Sequence, residues 1–488
     1  MRFSGQWGDV YGIGVLDRFW YLGFLQLRIG FQVTQGGIVR SRKMLVVTLL
    51  VLVLGLMSVA LLTGCGSSTA TTTTAAPATT VTTAAPTETT VSGTETTVAS
   101  TTDTTVAFNG TFDGTITLGA LGTLTGMGAM NGEEQIWSQK KAVADINAAG
   151  GINLAGKHMK IELSYVDDQS DETAGAAGIE KLIKVQGLKL ILSTQVSPIN
   201  QAAAIVAEKY QALYMQVVTW TTADRAANYK WCPDLFFAPG IGGVGEVPFF
   251  ISDMQPAADR PTKWGVLTED NADGQGLGAG VKACAAKHND TITEYQTYTP
   301  GTKDYSSVIL KFKQAQCDAI VVLCSAADGI TFVKQMKEQD YAPKLMMGWK
   351  GFWPVQFQQG LGVDAQFILH DGFWSEDLPF TGAKALGEAY KAAHNGNDSV
   401  SIGLPYAQVQ ILVAAIERAG STDPAKVRDQ IYNGTFKGTT MGDVTYDKQG
   451  CADISPLGLQ WIDGKRVIIY PEAMATGKLQ WMTPWKSR

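Results

Sequence analysis

The sequence predicts an α/β fold with parallel sheets, and two observations support this prediction. From about residue 112 to residue 488, short apolar runs typical of strands alternate with amphipathic patterns typical of helices. Such alternation is the signature of parallel strands joined by helices. In addition, roughly 370 residues of this kind exceed one comfortable hydrophobic core, so we expect two lobes with a cleft between them.

The predicted elements follow in chain order. The strand-like runs are residues 116–121, 160–166, 188–192, 213–218, 264–268, 292–298, 318–323, 344–347 and 366–369. The helical patterns are residues 133–148, 173–185, 200–209, 244–254, 304–315, 329–338, 383–393, 404–419 and 424–432. The last part of the chain reads as short strands at 441–446, 457–461 and 465–470, with a hairpin turn at Asp463-Gly464.

The first 111 residues do not fit this pattern. Residues 1–43 show no clear period, which is typical of an overlong reading frame that begins before the true start at Met44. Residues 44–62 are apolar and follow a basic cluster, as in a secretory signal. The exit Leu62-Thr63-Gly64-Cys65 resembles a bacterial lipobox, which implies that residues 44–65 are a lipoprotein signal peptide and that Cys65 carries the lipid.

Residues 66–111 are dominated by Thr, Ala, Ser, Val and Pro. Such a segment has no apolar periodicity with which to bury a core. We therefore predict a disordered tether that holds the folded part away from a membrane.

Composition and motifs exclude several classes of function. The formal charge of −6 argues against a nucleic-acid partner. The six cysteines form no C-x-x-C pair, and none of the four histidines belongs to an H-E-x-x-H motif, so we expect no metal site, no cofactor and no catalysis. A Cys284–Cys317 disulfide stays open, because spacing cannot establish the geometry of the bond.

Three motifs carry a resemblance to a known family. They are LGALGTLTG at 118–126, AVADINAAGGI at 142–152 and YVDD at 165–168, and MGDVTYD at 441–447 extends the similarity. Together they resemble the branched-chain amino acid binding proteins of ABC importers. This resemblance implies the type I periplasmic binding fold, in which two Rossmann-like lobes are joined by three crossings.

The resemblance also implies domain limits and partners. The crossings are expected near Pro239, near residues 371–372 and near residues 442–445. Lobe 1 would then comprise residues 112–239 and 372–442, and lobe 2 residues 240–371 and 443–488. The partners implied are a small ligand, ABC permease subunits and, through the lipid on Cys65, the outer face of the cytoplasmic membrane, with the protein itself a monomer.

In lobe 1, two strand ends suit a carboxylate. Ser197 precedes Pro198, so we predict that Ser197 is the N-cap of a helix whose unpaired amides point at the ligand. After the next strand, the resemblance assigns the ligand carboxylate to Val218 backbone and to Thr219 or Thr221, beside the ring of Trp220. The alternative is an ordinary helix cap and ordinary strand-end threonines.

Lobe 2 departs from the family. Lys350 stands where amino acid binders carry a glutamate for the ammonium group, and Asp273, Asn131 and Ser325 stand where aromatic residues are usual. Either Asp273 takes the ammonium, or the ligand lacks one and Lys350 meets a second anionic or carbonyl group, or the two pair with each other or face water. An ammonium group without Asp273 as its partner would then meet the lysine, so we expect leucine, isoleucine and valine to bind weakly. The cluster of Trp349, Phe352 and Trp353, together with Trp220, would suit a flat or bulky apolar ligand, although aromatic residues are also good core material.

These observations predict a lipid-anchored binding protein that captures a small carboxylate-bearing ligand by hinge closure. Candidate ligands are branched-chain or other amino acids, organic acids and amides. One alternative is a sensory receptor subunit on the same fold. Another is an enzyme, because residues 240–245 match the dinucleotide motif G-x-G-x-x-G.

Overall fold

The computed structural model describes residues 108–126, 128–219, 227–236, 241–452 and 454–488. The side chains of residues 130, 131, 241–243 and 272 are excepted from that description. The predicted extension, the signal peptide with Cys65 and nearly all of the predicted tether lie outside the described residues.

The strands of the described residues are, in chain order, β1 (Gly114–Gly122), β2 (Ile152–Leu154), β3 (Lys157–Asp167), β4 (Leu190–Leu192), β5 (Leu213–Val217), β6 (Asp234–Leu235), β7 (Lys263–Glu269), β8 (Thr291–Tyr298), β9 (Ala319–Cys324), β10 (Leu345–Lys350), β11 (Leu369–Gly372), β12 (Thr435–Thr439), β13 (Gly442–Thr445), β14 (Leu457–Ile462) and β15 (Lys465–Tyr470). The α-helices of the same ranges are α1 (Ala129–Ala148), α2 (Glu172–Lys184), α3 (Ser197–Tyr210), α4 (Ile241–Asp253), α5 (Ala272–Lys287), α6 (Ser306–Gln314), α7 (Ala326–Glu338), α8 (Val355–Leu361), α9 (Ala383–Ala393), α10 (Gly403–Ala419) and α11 (Pro424–Ile431).

The strands form two mostly parallel sheets and one small antiparallel pair. The first sheet has the order β2-β3-β1-β4-β5-β6, with only β2 antiparallel to its neighbour. The second has the order β15-β14-β11-β10-β9-β7-β8, in which β14 and β15 run antiparallel. The predicted α/β class with parallel sheets is therefore confirmed. Every predicted strand and helix overlaps an observed element.

Helix α5 was not predicted, because its sequence contains four glycines that lower helix propensity. The structure explains two of them by close packing. A Cβ on Gly274 would lie 1.8 Å from the carbonyl oxygen of Glu269, and a Cβ on Gly278 would lie 2.0 Å from the hydroxyl of Tyr295. The helix thus depends on tertiary contacts with β7 and β8 that local propensity cannot reveal.

The chain passes between the two sheets at three places, one of which differs from the prediction. The first predicted crossing, at Pro239, lies outside the described residues. The second sheet ends a strand at Gly372, next to the second predicted crossing. The third was predicted at 442–445, but those residues form β13, paired with β12.

The third passage lies about ten residues later in the chain than predicted. Val444 of β13 pairs with Phe436 of β12, and both side chains are fully buried. Cys451 then bridges to Asp234 of the first sheet, and the second sheet resumes only at Leu457. Residues 443–452 are therefore associated with the first sheet, because their apolar side chains complete its core.

Helix α10 lies in the core of the part of the molecule that contains the first sheet. All its residues from Gly403 to Ile416 are buried, which is typical of a helix enclosed on every side. It packs on α1 and β5. The loops before α10 and after β4 and β5 are consequently fixed against a rigid core.

Candidate functional site

Loops from both sheets meet around one small cavity. Its volume is about 40 Å³, and its lining residues are Glu134, Gln195, Val218, Trp353, Pro354, Phe373, Val400 and Ser401. Gln195 and Val218 follow β4 and β5, whereas Trp353 and Pro354 follow β10. Ligands of open α/β sheets bind beyond the carboxyl ends of strands. This cavity is therefore the candidate ligand site.

On the first-sheet side, Asn200 fixes the loops that follow β4 and β5. Its amide nitrogen donates to the carbonyl oxygens of Thr194 and Val217, both at 3.0 Å, and lies 3.4 Å from the Thr219 hydroxyl. Tyr214 donates to the Asn200 side-chain oxygen at 2.7 Å. Sequence reasoning missed Asn200; its position three residues after Ser197 in the same helix was the available signal.

The loop after β5 has a constrained backbone. Val218 adopts φ = 54°, which is unfavourable for a β-branched residue. Thr219 beside it is 2% exposed. The other predicted members of this loop, Trp220 and Thr221, lie outside the described residues.

Ser197 is buried at the start of α3, but it is not the N-cap that the sequence predicted. The N-cap is Val196, and no side chain caps this helix. Ser197 is the first helical residue because Pro198 follows it within the first turn, where the fixed φ of proline is tolerated. The first-turn amides of α3 therefore have no side-chain cap, which leaves an anion-binding position beside Gln195.

On the second-sheet side, Lys350 binds a carboxylate that sequence reasoning did not assign to it. Lys350 ends β10, and its Nζ lies 2.9 Å from Oε2 of Glu269 at the end of β7. Asn271 donates to the same oxygen at 2.8 Å. Glu269 is 2% exposed, so the lysine neutralises a buried charge. Of the alternatives left open by the sequence, neither pairing with Asp273 nor full hydration describes Lys350.

Asp273 lies in the first turn of α5, within the electrostatic field of that pair. Burial raises the pKa of Asp273, while Lys350 lowers this pKa and Glu269 raises it. When Lys350, Glu269 and Asp273 are all ionised, their net charge is −1, and protonation of Asp273 makes it zero. Lys350 therefore does not make this side of the cleft cationic.

Ser325 and Trp349 have structural roles. Ser325 is the N-cap of α7, where its hydroxyl accepts from the Asp328 amide at 3.2 Å and donates to the Asp328 carboxylate at 2.8 Å. Trp349 is fully buried in β10 as part of the hydrophobic core. Trp353, four residues later in the same aromatic cluster, lines the cavity together with Phe373. Asn131 lies in α1, and its side chain is outside the described part.

The buried side chain of Asp371 holds Trp353 in place. Its indole nitrogen donates to Oδ1 of Asp371, and its ring packs edge-on against Phe373 at 5.0 Å. Burial raises the pKa of Asp371 well above its ordinary value. Burial likewise lowers the pKa of the neighbouring His370 to about 3. His370 is therefore neutral near pH 6, and Asp371 stays protonated to a higher pH than an exposed aspartate would.

Glu134 of α1 is the carboxylate in the wall of the cavity. Its Oε2 accepts hydrogen bonds from Ser399 at 2.7 Å and from Ser401. Burial raises the pKa of Glu134, and the two serine hydroxyls and the more distant Arg466 lower it. The sequence carried a signal for this residue, because Glu134 lies three positions after Asn131 and so shares its helix face.

A larger polar hollow of about 650 Å³ adjoins the cavity along residues 399–401. Four of its charged side chains are paired within the protein. Lys391 binds Glu376, and Arg466, whose side chain is 4% exposed, binds Asp398. This hollow therefore offers polar walls whose main charges already have partners.

Metal and thiol chemistry find little support in the described ranges. No group of three or more His, Cys, Asp or Glu side chains there could hold a metal ion. Cys284 and Cys317 are buried and form no disulfide with each other or with another described cysteine. No helix of the described residues is long and apolar enough to cross a membrane.

The glycine motif at 240–245 coincides with the start of α4. A Cβ on Gly245 would lie 3.4 Å from the backbone nitrogen of Val281 in α5, which is an ordinary van der Waals distance, so helix packing alone does not require glycine at this position.

Curated relatives cover most of this chain. The Leu/Ile/Val-binding protein homolog 3 of Brucella melitensis is 26% identical over 365 residues, which is 74% of this chain and 96% of the relative. The Leu/Ile/Val-binding protein homolog 8 of Brucella abortus is 25% identical over 386 residues, or 75% and 93% of the two chains.

Solved structures share the fold. A leucine binding protein from Thermotoga maritima is 17% identical, with a TM-score of 0.63 over 72% of this chain and 97% of its own. A branched-chain amino acid transporter substrate binding protein from Streptococcus pneumoniae, solved in complex with isoleucine, is 21% identical, with a TM-score of 0.63 over 73% and 100% of the two chains. The sheets described above are thus those of type I periplasmic binding proteins.

A sequence profile of the family described as "Periplasmic binding protein" matches residues 115–456, well over half of the chain. Proteins of this family bind solutes and are not enzymes. This profile, the relatives and the two-sheet fold agree, and the chain therefore belongs to the periplasmic binding protein family.

Proposed function

We propose that this protein is the extracytoplasmic substrate-binding component of an ABC importer. In this proposal it captures a small carboxylate-bearing solute of the amino acid type and delivers it to a permease. The observation that carries the proposal is the cavity between the loops after β4 and β5 and the loop after β10. A solute held there contacts both sheets at once, so its binding favours the conformation in which they approach.

The proposed lobes follow the sheets. One comprises residues 112–236 and 373–452, and the other residues 241–371 and 457–488. The carboxylate of the solute would meet the uncapped first turn of α3, together with Ser197, Val218 and Thr219. The relatives named for leucine, isoleucine and valine support an amino acid as the solute.

Anchoring belongs to the same proposal. The lipobox-like run before Cys65 supports a lipid anchor on the outer face of the cytoplasmic membrane. Mass spectrometry of the protein expressed in a bacterial host with lipoprotein processing should find a diacylglyceryl group on Cys65, absent from the Cys65→Ala variant. Wild-type protein from such a host without lipid would contradict the anchor.

Native mass spectrometry of the freshly purified protein tests the binding function. We expect one co-purified small molecule with a carboxyl group per chain, and titration of that molecule into unfolded and refolded protein should regain the same complex. Ser197→Ala should weaken its binding by roughly 1 to 3 kcal/mol, the cost of losing a hydrogen bond to a charged group. Thr302→Ala, a change in the loop before α6 away from the cavity, is the matched control. Unchanged affinity of Ser197→Ala would remove Ser197 from the site.

A further inference from the structure

We propose that Glu134 is the group that receives the cationic end of the ligand, so that the ligand is an α-amino acid and not an amine-free acid or a simple amide. This inference rests on the proposed binding function, because it assumes that the cavity is the ligand site. It names a specificity-determining residue on the first-sheet side of the cleft.

The position and orientation of Glu134 support this role. The side chain lines the cavity beside Gln195 and Val218. Two hydroxyls, from Ser399 and Ser401, donate to the same oxygen, Oε2, and thereby hold the carboxylate in one orientation. The phenolic hydroxyl of Tyr390 also lies within hydrogen-bonding reach of Glu134. Such a network of donors prepares a carboxylate for a further partner on its open side.

Glu134 has no cation of its own among the described residues. The ion pairs of that part of the chain include no Lys, Arg or His bound to Glu134. Arg466, the cation that acts on it from a distance, is bound to Asp398. A half-buried carboxylate without a cation is costly, and a ligand ammonium group would remove that cost.

The same cavity also contains hydrogen-bond donors that suit the carboxylate end of a ligand. The side-chain nitrogen of Gln195 is buried and has no acceptor among the described residues. Gln195 lies next to the uncapped first turn of α3. An amide donor and a helix N-terminus suit a carboxylate, while Glu134 suits an ammonium group, and an α-amino acid carries both.

The other carboxylates near the cleft are less available. Glu269 is bound by Lys350 and Asn271 and is 2% exposed. Asp273 is partly exposed and lies close enough to Lys350 for the lysine to act on its charge. A ligand ammonium at Asp273 would approach that lysine, whereas Glu134 forms no ion pair with a Lys, Arg or His of the described ranges.

Ligand binding should lower the pKa of Glu134 under this proposal. Burial raises the pKa of Glu134 in the empty protein, and an ammonium group bound to it would act in the opposite direction. The groups that face Glu134 are its neighbour Glu133, Tyr390 of α9, the serines of the 399–401 segment and, further away, Arg466. Glu133 itself contacts His394.

Calorimetry on four forms of the full chain tests the inference. The forms are wild type, Glu134→Gln, Glu133→Gln as the adjacent exposed control, and Asp273→Asn as the competing carboxylate. The probes are the twenty common amino acids and, for each of them, the carboxylic acid of the same skeleton without the amino group. Glu134→Gln should fold normally, because the amide resembles the protonated acid.

We expect wild type to bind at least one amino acid. Glu134→Gln should lose roughly 10- to 100-fold in affinity for it, but not for the amine-free acid. Glu133→Gln and Asp273→Asn should stay within about twofold of wild type. Equal loss of both probes in Glu134→Gln, or loss of the amino acid in Asp273→Asn alone, would overturn the inference and leave the binding function intact. A wild type that binds only amine-free acids would do the same, whereas no binding of any probe would overturn the function as well.

Discussion

Lys350 ends β10 at the place where the resemblance to amino acid binders puts a glutamate. Its Nζ is 2.9 Å from Glu269, so its charge stabilises a buried carboxylate. This pair lessens the electrostatic reason to expect weak binding of leucine, isoleucine and valine, because Glu269 offsets the charge of the lysine.

Removing this lysine should destabilise the fold. Lys350→Met leaves Glu269 buried without its cation, and we expect the free energy of unfolding in urea to fall by about 1 to 3 kcal/mol. The loss stays below that of a fully buried pair because the lysine is 41% exposed. The double variant Lys350→Met/Glu269→Gln should regain most of the lost unfolding free energy. Lys160→Met, which breaks an exposed pair with Glu162, is the control and should cost well under 1 kcal/mol. Equal losses of unfolding free energy in Lys350→Met and Lys160→Met would contradict this explanation.

His370 and Asp371 should have opposite effects on stability as the pH changes. His370 has a folded pKa of about 3, so it disfavours the folded state as the pH falls below its unfolded value of 6.5. Asp371 has a raised pKa, so it favours the folded state as the pH falls toward 3.8. Each slope is at most about 1.4 kcal/mol per pH unit, and the two slopes have opposite signs.

Single substitutions should expose each slope. Relative to wild type, the unfolding free energy of His370→Gln should rise as the pH falls from 6.5 to 4, and that of Asp371→Asn should fall. Urea unfolding at four pH values in this window measures both. Parallel curves for wild type and both variants would show that neither group has a perturbed pKa.

At the level of elements, α5 shows a conflict between local propensity and packing. Gly278 faces the hydroxyl of Tyr295, which leaves no room for a side chain. Gly278→Ala should therefore lower the unfolding free energy by about 1 to 3 kcal/mol, although alanine favours an isolated helix by about 1 kcal/mol. Combining it with Tyr295→Phe should recover part of the loss, because the clashing oxygen is gone. A stabilised Gly278→Ala would mean that α5 and β8 are further apart.

The elements were largely predictable because apolar runs and helical periods are local properties. Strands β7, β9 and β10 and helix α10 are recognisable from their own residues. Helix α5 was missed because its glycines serve contacts with other elements.

The site was predictable only in part, because its decisive contacts join distant residues. Glu134 meets Ser399 and Ser401 across more than 260 positions, and Lys350 meets Glu269 across 81. Neither partner lies in a motif with its counterpart. Ser197 and Val218 were identified through strand ends and a family resemblance, which fix a place on the sheet edge but not the bonds made there.

At the scale of the whole molecule, the two sheets present their carboxyl-edge loops to one cavity. We propose that a small solute bound there holds the two lobes together. A hinge of this kind converts binding into a change of shape that a permease can recognise.

Small-angle X-ray scattering with and without the solute tests this claim most directly. The solute found by native mass spectrometry is added at a concentration that saturates calorimetric binding, with Ser197→Ala at the same concentration as the control. We predict a smaller radius of gyration at unchanged molecular mass for wild type, and a smaller change for Ser197→Ala. A saturated wild type whose radius of gyration equals that of the empty protein would contradict capture by closure of the two lobes.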